Sequence, residues 1–561
     1  MRNFTTRKLD KKGLKRTINF FIPLIGFPMA EGRVEFSNIP PEVEQYIKAL
    51  EAESEEWRRK YEYALEEIKE LLHHRFGRSS ERYIEEGQQE LFTIDEAETV
   101  RKEEVSERTE TVEVRGHRRR KAGRRPLPKT LPRVRIYHDI AEEDKVCGCG
   151  AVRQKIREER SERLAVIPEQ YYVEEHIRPI YGCKRCEGSG DEGKPAMLVA
   201  PAVASLIPKS IVTPSLLATV IVNKYCDHMP YYRQARRFYR QGIWIRRQDM
   251  SNWTLKVYEK VKPLIELLEE EVRRGPLIQM DETPLQVMRE ANRENTAKSY
   301  MWLARGGPPG KGVVVYSYRE SRSADFPKEF LSGYKGYVQC DGYESYESAV
   351  KGVAGIELVG CFAHVRRKYH KAWVTSNKRS EEAERGLKYV QRICGIEAEL
   401  REMGLPDSVF VERRKAAVGP ILESFRDWCL ELRGKVAPQG LLGKAIGYTL
   451  GQWDKLVKYL EAAYITPTNN LAENAIRPFV LGRKNWLFSG SPEGAHASCA
   501  MYSLIETART NKLNPYVYLE YLFDRLAYVS GEDDFEELLP TRIDREALRD
   551  FAAKNIPVEI N

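Results

Sequence analysis

A chain of 561 residues exceeds what one ordinary hydrophobic core organises, so two to four domains are expected. Lys and Arg number 91 against 83 Asp and Glu, a surplus too small to make the whole molecule a polycation, and it carries meaning only where it clusters. No uncharged apolar run reaches the roughly 18 residues of a membrane span, and the ten cysteines, two close pairs and six scattered singly, do not form a disulfide framework and fit a reducing, cytoplasmic setting.

Residues 1–40 receive no element. Lys11 to Arg16 is basic and Phe20 to Ala30 is apolar, the pattern of a secretory leader, but Pro23 and Pro28 interrupt the run. The other reading of this segment is a misassigned start, with Met29 beginning the working protein. Over residues 41–83, Val43, Ile47, Leu50, Ser54, Trp57, Tyr61, Ala64, Ile68 and Leu71 recur at alternating spacings of four and three. That register predicts a coiled-coil helix and self-association, the alternative being one amphipathic helix packed on its own domain. Gly77 within Arg75-Phe-Gly-Arg-Ser-Ser-Glu81 ends it.

Residues 84–137 read as linker and basic arm. The first part is Glu-rich with few large apolar groups. From Arg115 to Arg135, ten of 21 residues are Lys or Arg and none is acidic, which is a polyanion-binding composition. Prolines in Gly123-Arg-Arg-Pro-Leu-Pro-Lys129 keep the backbone extended, so Arg118, Arg119, Arg120, Lys121, Arg124 and Arg125 project toward phosphates or a narrow minor groove. The alternative is a solvated charge run. Residues 138–195 form a small domain in which Cys147-x-Cys149 and Cys183-x-x-Cys186 flank a β-rich segment. Four thiolates satisfy one tetrahedral zinc ion completely, so the site is structural; otherwise these are free buried thiols. Residues 196–270 read as three short helices with Arg233, Arg236, Arg237 and Arg240 on the middle one, either a helix-turn-helix-like module or an ordinary helical bundle.

From residue 271 the chain changes character. Leu277 to Asp281, Ser299 to Ala304, Gly312 to Tyr316, Tyr337 to Asp341 and Ile356 to Gly360 all read as strands. Short turns join the first three, and helix-compatible segments precede the fourth and fifth. This β-β-β-α-β-α-β order is the ribonuclease H-like arrangement, in which the first and fourth strands are neighbours. Asp281 and Asp341, each closing its strand, then converge at one sheet edge, where carboxylate oxygens suit Mg²⁺ or Mn²⁺. Residues 271–376 are the first part of this domain, 377–464 a helical insertion, 465–512 its second part and 513–561 a helical tail. In the second part Glu473 sits early in a helix with Arg477 one turn later, and it completes an acidic trio. Arg477 either reaches a phosphate or pairs with Glu473. Glu282, Glu344, Glu347, Glu493 and Glu506 are rival acids. His364, Arg366 and Arg367 after the fifth strand, and Arg483 and Lys484 beyond Glu473, are further candidate DNA contacts. Trp486 is a candidate base stacker or a core residue.

These residues resemble the bacterial insertion sequence 66 family of transposases from about residue 40 to about 530. The resemblance is carried by Phe76-Gly-Arg-Ser-Ser-Glu81, Gly123 to Arg133, Cys183-x-x-Cys186, Gln279-Met-Asp-Glu-Thr-Pro284, Cys340-Asp-Gly-Tyr343, Ala363-His-Val-Arg-Arg367, and above all Asn469 to Pro478 running into Leu481 to Phe488. It implies a DDE-type transposase whose acidic triad maps onto Asp281, Asp341 and Glu473. Two ions there would serve in-line attack by water or a 3′-hydroxyl on a phosphodiester. It also implies terminal inverted repeats and target DNA as partners, a second protomer and small accessory proteins. The first cysteine pair, Thr468, and the first thirty residues depart from the family pattern. Other readings are a non-enzymatic DNA-binding regulator decayed from a transposase, a ribonuclease H-like nuclease or resolvase that cuts without joining, and a tyrosine recombinase, for which no Arg-His-Tyr constellation is apparent.

Overall fold

The computed structural model describes residues 171–182, 197–529 and 531–554, with scattered helical positions between 45 and 68. The basic arm and Cys147, Cys149, Cys183 and Cys186 lie outside the described residues, as does most of the expected coiled coil. Of its register, Leu50, Trp57, Tyr61 and Ile68 are exposed in the single chain. A two-stranded antiparallel ribbon, β1 (Ile180–Gly182) and β2 (Met197–Val199), precedes the main body. No helix of the described residues is long and apolar enough to cross a membrane.

The described chain divides into two compact units. The larger is organised on a five-stranded mixed sheet of order β5-β4-β3-β6-β7. Its strands are β3 (Leu277–Gln286), β4 (Lys298–Gly306), β5 (Val313–Arg319), β6 (Gly336–Gln339) and β7 (Ile356–Val359). The first three form the expected antiparallel meander; β6 pairs parallel with β3, and β7 parallel with β6. Helices α4 (Asp325–Phe330) and α5 (Glu344–Val350) precede β6 and β7 respectively. Gly336 opens β6 at φ 146°, and a Cβ there would stand 2.7 Å from the Pro276 carbonyl, so only glycine lets β6 close against the start of β3.

Strand β3 runs five residues past Asp281, which therefore does not close its strand as expected. The parallel ladder with β6 ends at Gln279–Gln339, while the antiparallel ladder with β4 continues from Asp281–Leu303 to Gln286–Lys298. Pro284 is tolerated in this extension because β6 has already ended on its other side, where no ladder needs its missing N–H.

Helices α1 (Pro214–Tyr225), α2 (Tyr231–Arg240) and α3 (Arg247–Arg273) come first in this unit. Thr213 caps α1, its hydroxyl accepting from Leu216 N at 3.2 Å. Asp249 occupies the first turn of α3 and accepts from Arg246 N at 3.0 Å. The three are not uniformly short: α3 has 27 residues and buries Met250, Trp253, Val257, Val261, Leu264, Leu268 and Val272. One continuous core runs from Leu206 through α1, α3 and the sheet to Leu548, so these helices are a layer of the main body.

Farther on come α6 (Phe362–Thr375), α7 (Glu381–Glu402), α8 (Asp407–Arg433), α9 (Leu441–Gly451), α10 (Trp453–Val457), α11 (Asn470–Trp486), α12 (Pro492–Thr510), α13 (Pro515–Arg525), α14 (Glu532–Glu537) and α15 (Arg545–Lys554). Helix α12 covers the edge of β5. Ser503 Oγ accepts from Tyr316 N at 2.8 Å, and Thr507 Oγ1 bonds both Val314 N and Val314 O at 3.0 Å, which satisfies groups that an edge strand otherwise leaves bare. The smaller unit takes in His364–Ile393 and Ala416–Asp454 and has its own aromatic core, with Tyr389 stacked on Phe425 at 4.8 Å and Thr449 Oγ1 donating to Tyr369 Oη at 3.4 Å.

Candidate active site

Two strands carry the same short pattern, Ile278-Gln-Met-Asp281 and Val338-Gln-Cys-Asp341. They pair in register, Ile278 beside Val338 and Gln279 beside Gln339. Two residues on, Asp281 is still within β3, whereas Asp341 stands two residues past the end of β6 and does not close its strand as expected; its charge bears on both Asp281 and Glu282. The glutamine pair is buried: Gln279 Nε2 donates to Gln339 Oε1 at 2.8 Å, and Gln339 Nε2 donates to Thr466 O at 2.7 Å. The polar rung under the aspartates thereby reaches the segment that leads to Glu473.

That segment is fixed at many points. Arg414, fully buried, donates to the carbonyls of Ala462, Ala463 and Ile465 and pairs with Glu397 at 3.0 Å. Phe362 N donates to Pro467 O at 2.9 Å, Asn469 N reaches Cys361 Sγ at 3.1 Å, and Asn469 Nδ2 donates to Met280 O at 2.9 Å. Glu473 N then donates to Asn469 O at 3.1 Å in the first turn of α11. The rest of α11 lies along β3. Arg483 Nη1 donates to Thr283 Oγ1 at 3.2 Å, and after the helix Ser489 bonds backbone to backbone with Gln286 and Met288, both at 2.9 Å. Glu473 is therefore held at the height of Asp281, with a carboxylate oxygen within 4.8 Å of Cys361 Sγ beyond the end of β7.

Asp281 feels both of the other acids. Burial above all, then the charges of Glu282, Glu473 and Asp341, push Asp281 up to about 8, against the opposing pull of the Glu282 N–H that donates to its Oδ1 at 2.9 Å. Asp341 Oδ1 accepts from Tyr343 N at 3.0 Å. Of the rival acids, Glu282 joins the cluster, but its side chain is 2 % exposed and held by Arg322 and the Tyr346 hydroxyl. Burial raises its pKa while Tyr346 and Arg322 oppose the rise. Glu347 pairs with Lys455, and Glu506 with Arg509 at 2.8 Å. Glu493 sits in the first turn of α12, and Glu344 is exposed at the start of α5.

Sequence reasoning missed Arg322, which lies 3.8 Å from Asp341 and against the Tyr343 ring at 3.6 Å, because it stands in a loop with no local signature. The repeated Gln-x-Asp pattern was a signal available in the sequence. Arg477 is exposed, one turn after Glu473 on α11. Lys484 is exposed, Arg483 is half-buried on β3, and Trp486 packs against Tyr225 at 6.3 Å as a core residue. His364, Arg366 and Arg367 fall in the first two turns of α6, within the smaller unit. Carboxylate oxygens are the donors a hard divalent cation takes, and the charges of Glu282, Glu473 and Asp341 all bear on Asp281.

Known proteins match this chain along most of its length. The model described as transposase IS66 family covers residues 209–497. Others cover 65–136 (transposase C of IS166 homeodomain), 144–187 (zinc-finger binding domain of transposase IS66, which includes all four paired cysteines) and 503–541 (IS66 C-terminal element). Among curated relatives, the uncharacterized protein y4jD of Sinorhizobium fredii is 32 % identical over 429 residues, 74 % of this chain and 81 % of the relative. The uncharacterized protein y4qI of the same organism is 30 % identical over 455 residues, 78 % of this chain and 82 % of the relative. The sequence motifs and these matches agree, and the chain belongs to the IS66 family of transposases.

Proposed function

We propose that the chain is a DDE-type transposase with a ribonuclease H-like catalytic domain, cleaving DNA at the ends of its element and transferring the strand to a target. The observation that carries this reading is the in-register parallel pairing of β3 with β6, beside a helix pinned to β3 so that Glu473 influences Asp281. Asp281, Asp341 and Glu473 would hold two Mg²⁺ or Mn²⁺ ions. Bound there, such ions supply Lewis-acid stabilisation of phosphodiester oxygens and ease deprotonation of water or a 3′-hydroxyl. The chain's own residues prepare the site. Burial and its acidic neighbours raise Asp281, so a bound cation would have to displace its proton, Arg322 pairs with Glu282 and so draws it away from that role, and exposed Arg477 and Lys484 offer phosphate contacts on the helix that carries Glu473.

Cys147, Cys149, Cys183 and Cys186 would hold one structural zinc ion, the basic arm would bind the phosphate backbone, and the heptad helix would join protomers in the cytoplasm. The test is a nicking and strand-transfer assay on the element's terminal repeats with Mg²⁺. Asp281→Ala, Asp341→Ala and Glu473→Ala are each expected to abolish both steps while leaving DNA binding intact. Retained nicking in any one removes that residue from the site, and cleavage by the wild type without joining turns the reading to a nuclease.

A further inference from the structure

Helix α2 carries Arg233, Arg236, Arg237 and Arg240 at spacings of three, four and seven, which share one helical face. Its rotation is set by the opposite face. Phe238 is buried in the core, and Gln234 Nε2 donates to Val220 O at 3.1 Å and Met229 O at 3.0 Å. The arginine face is thus directed outward by the fold, and all four arginines line one depression of about 490 Å³, in which Asp227 is the single carboxylate. Arg233, Arg236 and Arg240 at helical spacing repel one another, a cost that a bound polyanion relieves.

Two further features specify the polyanion. Just past the helix, Trp244 is 78 % exposed and meets Tyr239, itself 59 % exposed, edge to face at 4.8 Å. Large aromatics bare to solvent beside arginines are a stacking platform for unpaired bases. The other wall of the depression is Asn485, whose Oδ1 accepts from Arg233 Nη1 at 3.4 Å. Asn485 lies on α11, twelve residues after Glu473, which at the helical rise is about 18 Å.

We infer that α2 and the turn after it form a nucleic-acid contact surface, in which the arginines hold backbone phosphates and Trp244 stacks on a base freed from pairing. Asn485, at its edge, stands about five base-pair steps from Glu473 along α11 at the rise of B-form DNA. The inference rests on the reading that the chain acts on DNA, and it adds where a distorted or frayed part of that DNA is held.

The test uses the full chain with a fluorescein-labelled blunt duplex and the same duplex bearing a short single-stranded tail, titrated across a salt series. Arg236→Ala combined with Arg240→Ala is expected to weaken binding of both probes and reduce the logarithmic salt slope by about two. Trp244→Ala should remove about tenfold of preference for the tailed probe, and Trp244→Phe should keep it. These side chains are exposed, so unchanged melting is the control for folding. If slope and preference stay at wild-type values, the surface has another occupant, such as an acidic polypeptide, and the inference fails even where nicking persists. If the wild type binds with these dependences but never nicks with Mg²⁺, the catalytic reading fails and the surface stands.

Discussion

Asp281 is where burial and charge meet most sharply, and its behaviour with pH follows from the sign of its shift. Its carboxyl, ordinarily near 3.8, is pushed up to about 8 in the folded chain. Between those values the folded protein keeps a proton that the unfolded chain has lost. Stability therefore declines as pH rises through that window, and what burial of the neutral acid allows is fully present only below it. Without metal, the melting temperature should fall from mildly acidic to mildly alkaline solution, Asp281→Asn should flatten that fall, and Mg²⁺ should reverse it in the wild type alone. A melting temperature that ignores pH in the wild type would show that Asp281 does not carry the burden assigned to it. Arg322 operates at the same scale: its guanidinium pairs with buried Glu282 and lies 3.8 Å from Asp341.

Elements bring these residues together, and β3 with α11 matters most. Helix α11 is tied to β3 near its start, at Thr283 and after its end, so the position of Glu473 is set by the strand beneath it rather than by its own loop. Asn469 is the tie closest to the acids and is 2 % exposed. Asn469→Ala leaves the Met280 carbonyl without that donor and should cost about 1–3 kcal/mol in a denaturant titration. Nicking should drop further than the stability loss explains, with DNA affinity unchanged. Equal nicking by this variant would show that α11 holds Glu473 in place without the tie. The sequence had marked these elements well. All five strands lie where alternation and apolar runs put them, whereas the full length of β3 was not legible, because Pro284 reads as a stop until one knows that β6 ends before it.

Across the whole molecule, a basic arm and a zinc-finger segment precede a body organised on one mixed sheet. Deleting Arg115 to Arg135 should weaken DNA affinity and flatten its salt dependence, as measured by filter binding over a salt series; an unchanged slope would return that stretch to the status of linker. The heptad spacing, the cysteine pairs, the basic run and the positions of the strands are all written locally, in periods of two, three or four residues or in short motifs, and the sequence by itself determined them. Tertiary structure alone decided that Arg322 meets Glu282 and Asp341, that Arg414 clasps the chain leading to Glu473, that α12 closes the edge of β5, and that the arginines of α2 face outward beside Asn485. Those partners lie between 19 and 252 positions apart, and no local periodicity encodes which of many arginines will find which carboxylate, carbonyl or amide once the core has closed.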